Sequence, residues 1–204
     1  MDRRKLLVNG GMMLGGSLVL AACATPAAPP LAADGKPLPR LYPIKPQDTS
    51  AITYRMLDGV NQLRAARSLP PMTLDASLTA AAATHSRDMA VQNRPWHFGS
   101  DGSSPLVRVQ RANYTGVLDG ELISETFQTE LETLSAWMAE ADTRAVIMDP
   151  KATQMGFAWF QEPSGKIWWT MVTGHAAMPG DPTYGNPLQS MGPRPTYYDP
   201  TAGH

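Results

Sequence analysis

The segment Met155-Gly156-Phe157-Ala158-Trp159-Phe160-Gln161-Glu162-Pro163-Ser164-Gly165-Lys166-Ile167-Trp168-Trp169-Thr170-Met171-Val172 decides the class of fold. Aromatic and β-branched residues fill both arms, and Glu162-Pro163-Ser164-Gly165 stands between them, so the segment reads as a β-hairpin closed by a turn. Upstream the pattern changes to a helical period. Ile52, Met56, Val60 and Leu63 fall near one face of a helix that Asp48, Thr49 or Ser50 can cap and that ends before Leu69-Pro70-Pro71. Asp75 begins a second helix with Leu78, Ala82, His85 and Met89 on one side, and its run of alanines at 80–83 permits close packing against a neighbour. Phe127, Leu131, Leu134 and Met138 recur at spacings of four, three and four, the stripe of a third helix facing a core. Helices first and a terminal hairpin point to an α+β fold, a three-layer α-β-α sandwich rather than a doubly wound sheet.

Between the second and third helices, residues 93–120 carry Pro95, Gly99, Gly102, Pro105, Gly116 and Gly120. They read as a long loop region with one short helix around Val107 to Ala112, and loops of that length are functional or disordered. The third helix runs on through Ala136-Trp137-Met138-Ala139-Glu140-Ala141-Asp142-Thr143-Arg144. At about 100° per residue, Glu140 and Thr143 lie roughly 150° from the middle of its apolar stripe and look outward together. Arg144 suits a helix C-terminus.

The two ends of the chain have other compositions. Arg3, Arg4 and Lys5 precede an apolar, glycine-containing run from Leu6 to Leu20, the layout of an export signal, too short and glycine-rich for a good membrane span. The run ends in Leu20-Ala21-Ala22-Cys23, which resembles the lipobox of bacterial lipoproteins. That resemblance implies cleavage after a signal peptide at 1–22 and lipidation of Cys23, the chain's single cysteine. Residues 23–47 are dense in Pro and Ala and read as a tether, and residues 175–204 as a Pro/Gly-rich tail. The folded domain is 48–174.

With Cys23 committed to lipid, no thiol remains for a disulfide, a metal site or a nucleophile. A formal net charge of -1 gives no basic surface for nucleic acid. The serine-hydrolase elbow, the His-Glu-x-x-His zinc motif, the phosphate-binding glycine loop and the dinucleotide fingerprint do not occur. What remains is polar residues beside breaks in structure: His97 after Pro95-Trp96, Asp101-Gly102-Ser103, Gly120-Glu121, and Glu140 with Thr143. Taken alone, each has an ordinary reading. His97 is a surface or turn residue, Glu121 a cap on a helix beginning near Ile123, and Glu140 either solvated helix surface or one wall of a site. His85 reads as a hydrogen-bonded core histidine, and Trp137, Trp159, Trp168 and Trp169 as packing.

In order, Asn61-Gln62-Leu63-Arg64, Leu69-Pro70-Pro71-Met72, Leu74-Asp75, His85-Ser86-Arg87-Asp88-Met89-Ala90, His97-Phe98-Gly99, Asp101-Gly102-Ser103, Arg108, Tyr114, Gly120-Glu121, Trp137-Met138 and Met155-Gly156 resemble the bacterial CAP superfamily, the SCP-like and pathogenesis-related group. The resemblance implies an α-β-α sandwich whose cleft gathers two histidines and two acidic residues. Carried over, the first histidine matches His97, the glutamates match Glu121 and Glu140, and Thr143 stands where the second histidine is expected. It implies a cleft of His97, Glu121, Glu140 and Thr143, with His97, Glu121 and Glu140 as the ligands for a divalent metal such as zinc; a threonine hydroxyl is a poor substitute for imidazole.

The expected function is that of a binding module in the bacterial cell envelope, on the periplasmic face or at the outer membrane. The membrane partner is engaged through the lipid on Cys23, and a small ligand, lipid, glycan or protein through the cleft. The alternative is a hydrolase using the same cleft with a metal or with a glutamate as general base, and a third reading is a scaffold whose tails matter more than the cleft.

Overall fold

The computed structural model describes residues 41–126 and 128–181. The expected signal peptide, Cys23, most of the expected tether, Phe127 and the residues beyond 181 lie outside the described residues. A short 3-10 turn at Pro46–Asp48 leads into helix α1 (Thr49–Ala65), followed by strand β1 (Thr73–Leu74), helix α2 (Ala76–Gln92), helix α3 (Pro105–Arg111), strand β2 (Val117–Thr126), helices α4 (Glu130–Ala139) and α5 (Ala141–Ile147), and strands β3 (Gln154–Gln161) and β4 (Ile167–His175). The sheet runs β1-β3-β4-β2. The hairpin β3-β4 forms as its composition dictates, with Phe160 opposite Trp168 and Gln161 opposite Ile167. It is the centre of the sheet, and apart from His175 every residue of β4 is buried.

Strand β2 was not legible from the loop-like composition of 93–120, and Glu121 caps no helix. Val117, Leu118, Leu122 and Ile123 place it in extended structure beside β4, antiparallel, with Glu121 opposite Val172 and Leu122 opposite Met171. An irregularity between Leu118 and Gly120 re-aims the strand just before Glu121.

Helices cover both faces of the sheet, as a three-layer α-β-α sandwich requires. On one face Ile52, Met56 and Val60 of α1, Leu134 and Trp137 of α4 and Ile147 of α5 pack with Leu122, Met155, Phe157, Trp169 and Met171. Burying each of these large side chains contributes about 1.5–3 kcal/mol. On the other face Leu78, Ala81 and Ala82 of α2 and Val109 of α3 meet Ala158 and Val172. Gly156 sets the spacing of that layer: a Cβ there would come within 2.1 Å of the Leu78 backbone, so only glycine lets α2 lie this close to β3.

Helix α4 differs from its expected register. The buried face is Glu130, Thr133, Leu134 and Trp137, while Leu131 is exposed. Two polar anchors turn the helix. Glu130 accepts from Arg55 Nε at 2.6 Å and from the Tyr42 hydroxyl at 3.0 Å, and Trp137 Nε1 donates to the Ile123 carbonyl at 3.2 Å. The helix also stops at Ala139, because Glu140 is extended (φ -87, ψ 140). Arg144 Nη1 donates to the Met138 and Ala139 carbonyls at 2.8 and 3.1 Å, and the Thr143 hydroxyl donates to the Trp137 carbonyl. These side chains satisfy the orphaned end of α4.

The domain begins before residue 48 and β4 extends past 174. Tyr42 and Ile44 pack on the core, and Ile44 N donates to Gln161 Oε1 at 2.9 Å, so the end of the segment read as tether belongs to the fold. Arg64 is fully buried in place of Leu63, donating to the carbonyls of Pro70, Ile147, Asp149 and Ala152 and so tying α1 to the ends of α5 and to the entry of β3.

Candidate functional site

Strand alternation puts Glu121 on the α2/α3 face of the sheet. Its neighbour Gly120 faces the other way, since a Cβ there would meet Val146 of α5 at 2.7 Å, and Leu122 lies in the core beneath α1 and α4. The Glu121 side chain is 3% exposed. A buried carboxylate needs partners, and α3 supplies the main one. Ser104 caps α3 through Val107 N, and Pro105 at its first position presets the backbone. The helix thereby aims Arg108 at the strand. Arg108 Nη2 donates to Glu121 Oε2 at 2.6 Å and Oε1 at 2.8 Å. The same nitrogen reaches the His97 carbonyl at 3.0 Å, while Nη1 donates to the Ser103 carbonyl at 2.8 Å. Arg108 thus holds both the carboxylate and the loop above it.

His97, half exposed at the mouth, brings Nδ1 to 2.9 Å from Glu121 Oε1. Below, fully buried His85 on α2 places Nε2 at 3.7 Å from the same oxygen. Neither ring nitrogen of His85 has a hydrogen bond among the described residues, nor has Arg108 Nε. The Trp96 backbone lies close enough to bias the ring toward protonation, but not in the geometry of a hydrogen bond. Burial outweighs that bias and the pull of Glu121, and holds the His85 pKa below its ordinary value.

The loop from His97 to Ser104 is held rigidly. Asp88 Oδ2 accepts from Ser100 N at 2.7 Å and Oδ1 from the Ser100 hydroxyl at 2.6 Å. Asp101, bonded to Ser103 and Arg111, titrates well below the usual carboxylate range. Between this loop, α2 and α3 opens a cavity of about 460 Å³ lined by Thr84, Asp88, Ser100, Ser103, Arg108 and Arg111.

Of the four expected cleft residues, His97 and Glu121 come together; Glu140 and Thr143 do not join them. Both lie at the α4-α5 junction, in the helical layer on the opposite face of the sheet. Glu140 is exposed, and Thr143 is occupied in closing α4. The break at Glu140 is what the helical reckoning through residue 143 could not include. The second imidazole at the carboxylate is His85 instead. Its place on the apolar side of its helix reads as a hydrogen-bonded core histidine; the structure buries it, but without that bond among the described residues. Arg108 carried no signal beyond its place in the family pattern.

The expected zinc ligands His97, Glu121 and Glu140 are therefore not assembled, and among the described residues no group of three or more His, Cys, Asp or Glu side chains is arranged to hold a metal ion. The donors that do converge fit a divalent cation poorly. Both oxygens of Glu121 are taken by a guanidinium whose charge repels a metal, and His85 is buried beneath it.

The profile of the CAP (cysteine-rich secretory protein) family matches residues 57–173, more than half of the 204-residue chain. The chain belongs to this family. Its CAP domain is 28% identical over 123 residues to the uncharacterized protein YkwD of Bacillus subtilis (strain 168), covering 60% of this chain and 47% of that protein. The chain thus spans about half the length of that relative. An outer surface protein from Borrelia burgdorferi superposes with a TM-score of 0.60 at 13% identity, over 67% of this chain and 99% of that one. An extracellular protein containing a SCP domain from Bacillus anthracis str. Ames gives 0.58 at 20% identity, over 66% and 45%. At these identities the two structures establish the CAP fold.

Because the His85 pKa is lowered on folding, the native CAP domain binds fewer protons at this ring than the unfolded chain. The ring therefore costs no stability well above the unfolded value of 6.5 and progressively destabilises the fold as pH falls below it. Chemical denaturation at a series of pH values from neutral downward is expected to show the midpoint falling, with a shallower fall in His85→Phe. An equal slope in both proteins would remove His85 as the cause.

Proposed function

We propose that this CAP domain is an exported, envelope-anchored binding module that takes a small ligand, lipid, glycan or protein at the cleft above Glu121. The observation that carries the reading is that the buried polar cluster is cross-linked by hydrogen bonds yet under-satisfied. Arg108 neutralises Glu121, while both ring nitrogens of His85 and Arg108 Nε are buried with no hydrogen bond among the described residues, at a cost of about 1–3 kcal/mol for each group. Polar groups kept at that cost beside an open cavity suit recognition. A general base needs a free carboxylate, and both oxygens of this one are occupied, which disfavours the hydrolase alternative. Export is supported by the basic and apolar N-terminus, and by relatives described as an extracellular protein and an outer surface protein. Anchoring is supported by Leu20-Ala21-Ala22-Cys23.

Zinc titrated into the purified protein by calorimetry is expected to give no saturable heat, with wild type and His97→Ala indistinguishable. A tight site that disappears in His97→Ala would restore the metal-assisted alternative. Cell fractionation tests the anchor: wild type is expected with the membranes and Cys23→Ser in the soluble fraction, and a membrane-bound Cys23→Ser protein would contradict lipidation at this residue.

A further inference from the structure

A second feature lies outside the cleft. Every residue from Asn93 to Phe98 is exposed. Helix α2 ends on Asn93, whose left-handed backbone (φ 49) turns the chain out of the helix and into Arg94-Pro95-Trp96-His97-Phe98. Trp96 and Phe98 pack against each other with ring centroids 5.2 Å apart, and the Arg94 guanidinium lies 3.9 Å over the Trp96 ring. Yet both rings stay open to solvent, 37% and 38% exposed. On the adjoining side of α2, Arg87 and Val91 lie four residues apart, one helical turn, and Val91 is 77% exposed. Arg87 also sits over the Phe160 ring. The carboxylates of the surrounding elements are already engaged. Asp88 holds Ser100 and Gln92, Glu125 pairs with Lys166, and Glu162 accepts from Trp168 Nε1. The surface left is apolar and aromatic, flanked by the cations Arg87 and Arg94.

The point where the chain enters the domain lies at the same end. Leu41, the first described residue, sits against Gly165 in the β3-β4 turn, and Gln161 Nε2 pins the entry there by donating to the Tyr42 carbonyl at 2.7 Å and the Gly165 carbonyl at 3.0 Å. The next turn residue, Lys166, reaches Asn93 Oδ1 at 3.3 Å, directly before the aromatic loop. Cys23 precedes Leu41 by 18 residues, a reach of at most about 60 Å for an extended chain. The segment that follows Cys23 therefore joins the domain at the end that carries Trp96 and Phe98.

From this juxtaposition we infer that residues 94–98, with Arg87 and Val91 of α2, form a membrane-contact surface that lays the anchored domain against an anionic bilayer interface. Tryptophan and phenylalanine enter the headgroup layer with the apolar side chain of Val91 beside them, while the two arginines meet lipid phosphates. The contact is peripheral, adds to the lipid on Cys23, and rests on the anchored reading above. It also fixes which way His97, inside the same loop, faces: the cleft mouth opens close to the lipid surface.

Tryptophan emission tests the proposal, because Trp137, Trp168 and Trp169 are buried and Trp159 is partly buried against Phe157 and Trp169, leaving Trp96 as the ring most open to a quencher. The lipidated full chain is reconstituted on phosphatidylcholine vesicles with and without phosphatidylglycerol, using plain or brominated acyl chains, and vesicle flotation is recorded beside fluorescence. The expected result is quenching by brominated lipid that is strongest on the anionic vesicles, is lost in Trp96→Phe, and is lost in the Arg87→Glu/Arg94→Glu double variant while that protein still floats. Wild-type protein that floats without such quenching, or quenching that survives Trp96→Phe, overturns the contact surface alone. Protein that does not float overturns the anchor and this proposal with it. Trp96 shielded from acrylamide by soluble glycan fragments, with no quenching by brominated lipid, overturns the membrane contact in favour of a glycan site.

Discussion

The carboxylate of Glu121, buried on the α2/α3 face and gripped by Arg108, is the contact around which this side of the molecule is organised. A charge in that position is tolerated only because a guanidinium approaches both oxygens at 2.6–2.8 Å. The same guanidinium bonds the backbone at His97 and Ser103. One residue of α3 therefore couples the sheet to the loop that roofs the cleft, and the position of His97 follows from it. The second layer repeats the device. Fully buried Arg64 gathers four carbonyls from segments up to 88 residues away, so each face of the sheet has an arginine stitching distant chain together.

What the sequence revealed depended on how local the causes were. The hairpin, the cap at Asp75 and the apolar face of α2 follow from residues within a few positions of one another, and they appear where expected. Strand β2 did not, because Gly120, Gly116 just before it and its short apolar pairs look like loop until β4 is there to pair with. That mattered at the site: the resemblance put Glu121 in the cleft with His97, but without the strand nothing in the sequence set it against α2, so His85, on the apolar side of its helix, passed for a hydrogen-bonded core histidine. The α4-α5 junction failed for the opposite reason. Its helical periodicity is real, but Thr143 and Arg144 close α4 from the next helix, and a periodic projection cannot register a break made by tertiary hydrogen bonds.

The resemblance to the CAP superfamily supplied the fold and two residues that meet, His97 and Glu121, while Glu140 and Thr143, its further correspondences, lie apart from them at the α4-α5 junction. A second imidazole is present all the same, supplied by α2 in the form of His85. The cleft that results is a salt-bridged acid between one exposed and one buried histidine, beside a cavity rimmed by Asp88, Ser100 and Arg111. His97, at its mouth, lies in the same exposed loop as the aromatic pair.

The central claim is that Arg108 and Glu121 act as one unit, and a double-mutant cycle in the folded protein measures that directly. With Arg108→Met, Glu121→Gln and the pair compared by urea denaturation, each single change is expected to cost about 3–5 kcal/mol because it strands a buried charge. The double change is expected to cost less than their sum by about 2 kcal/mol or more. Additive losses would contradict the account: the two groups would then be stabilised independently, and the carboxylate would be free for other chemistry.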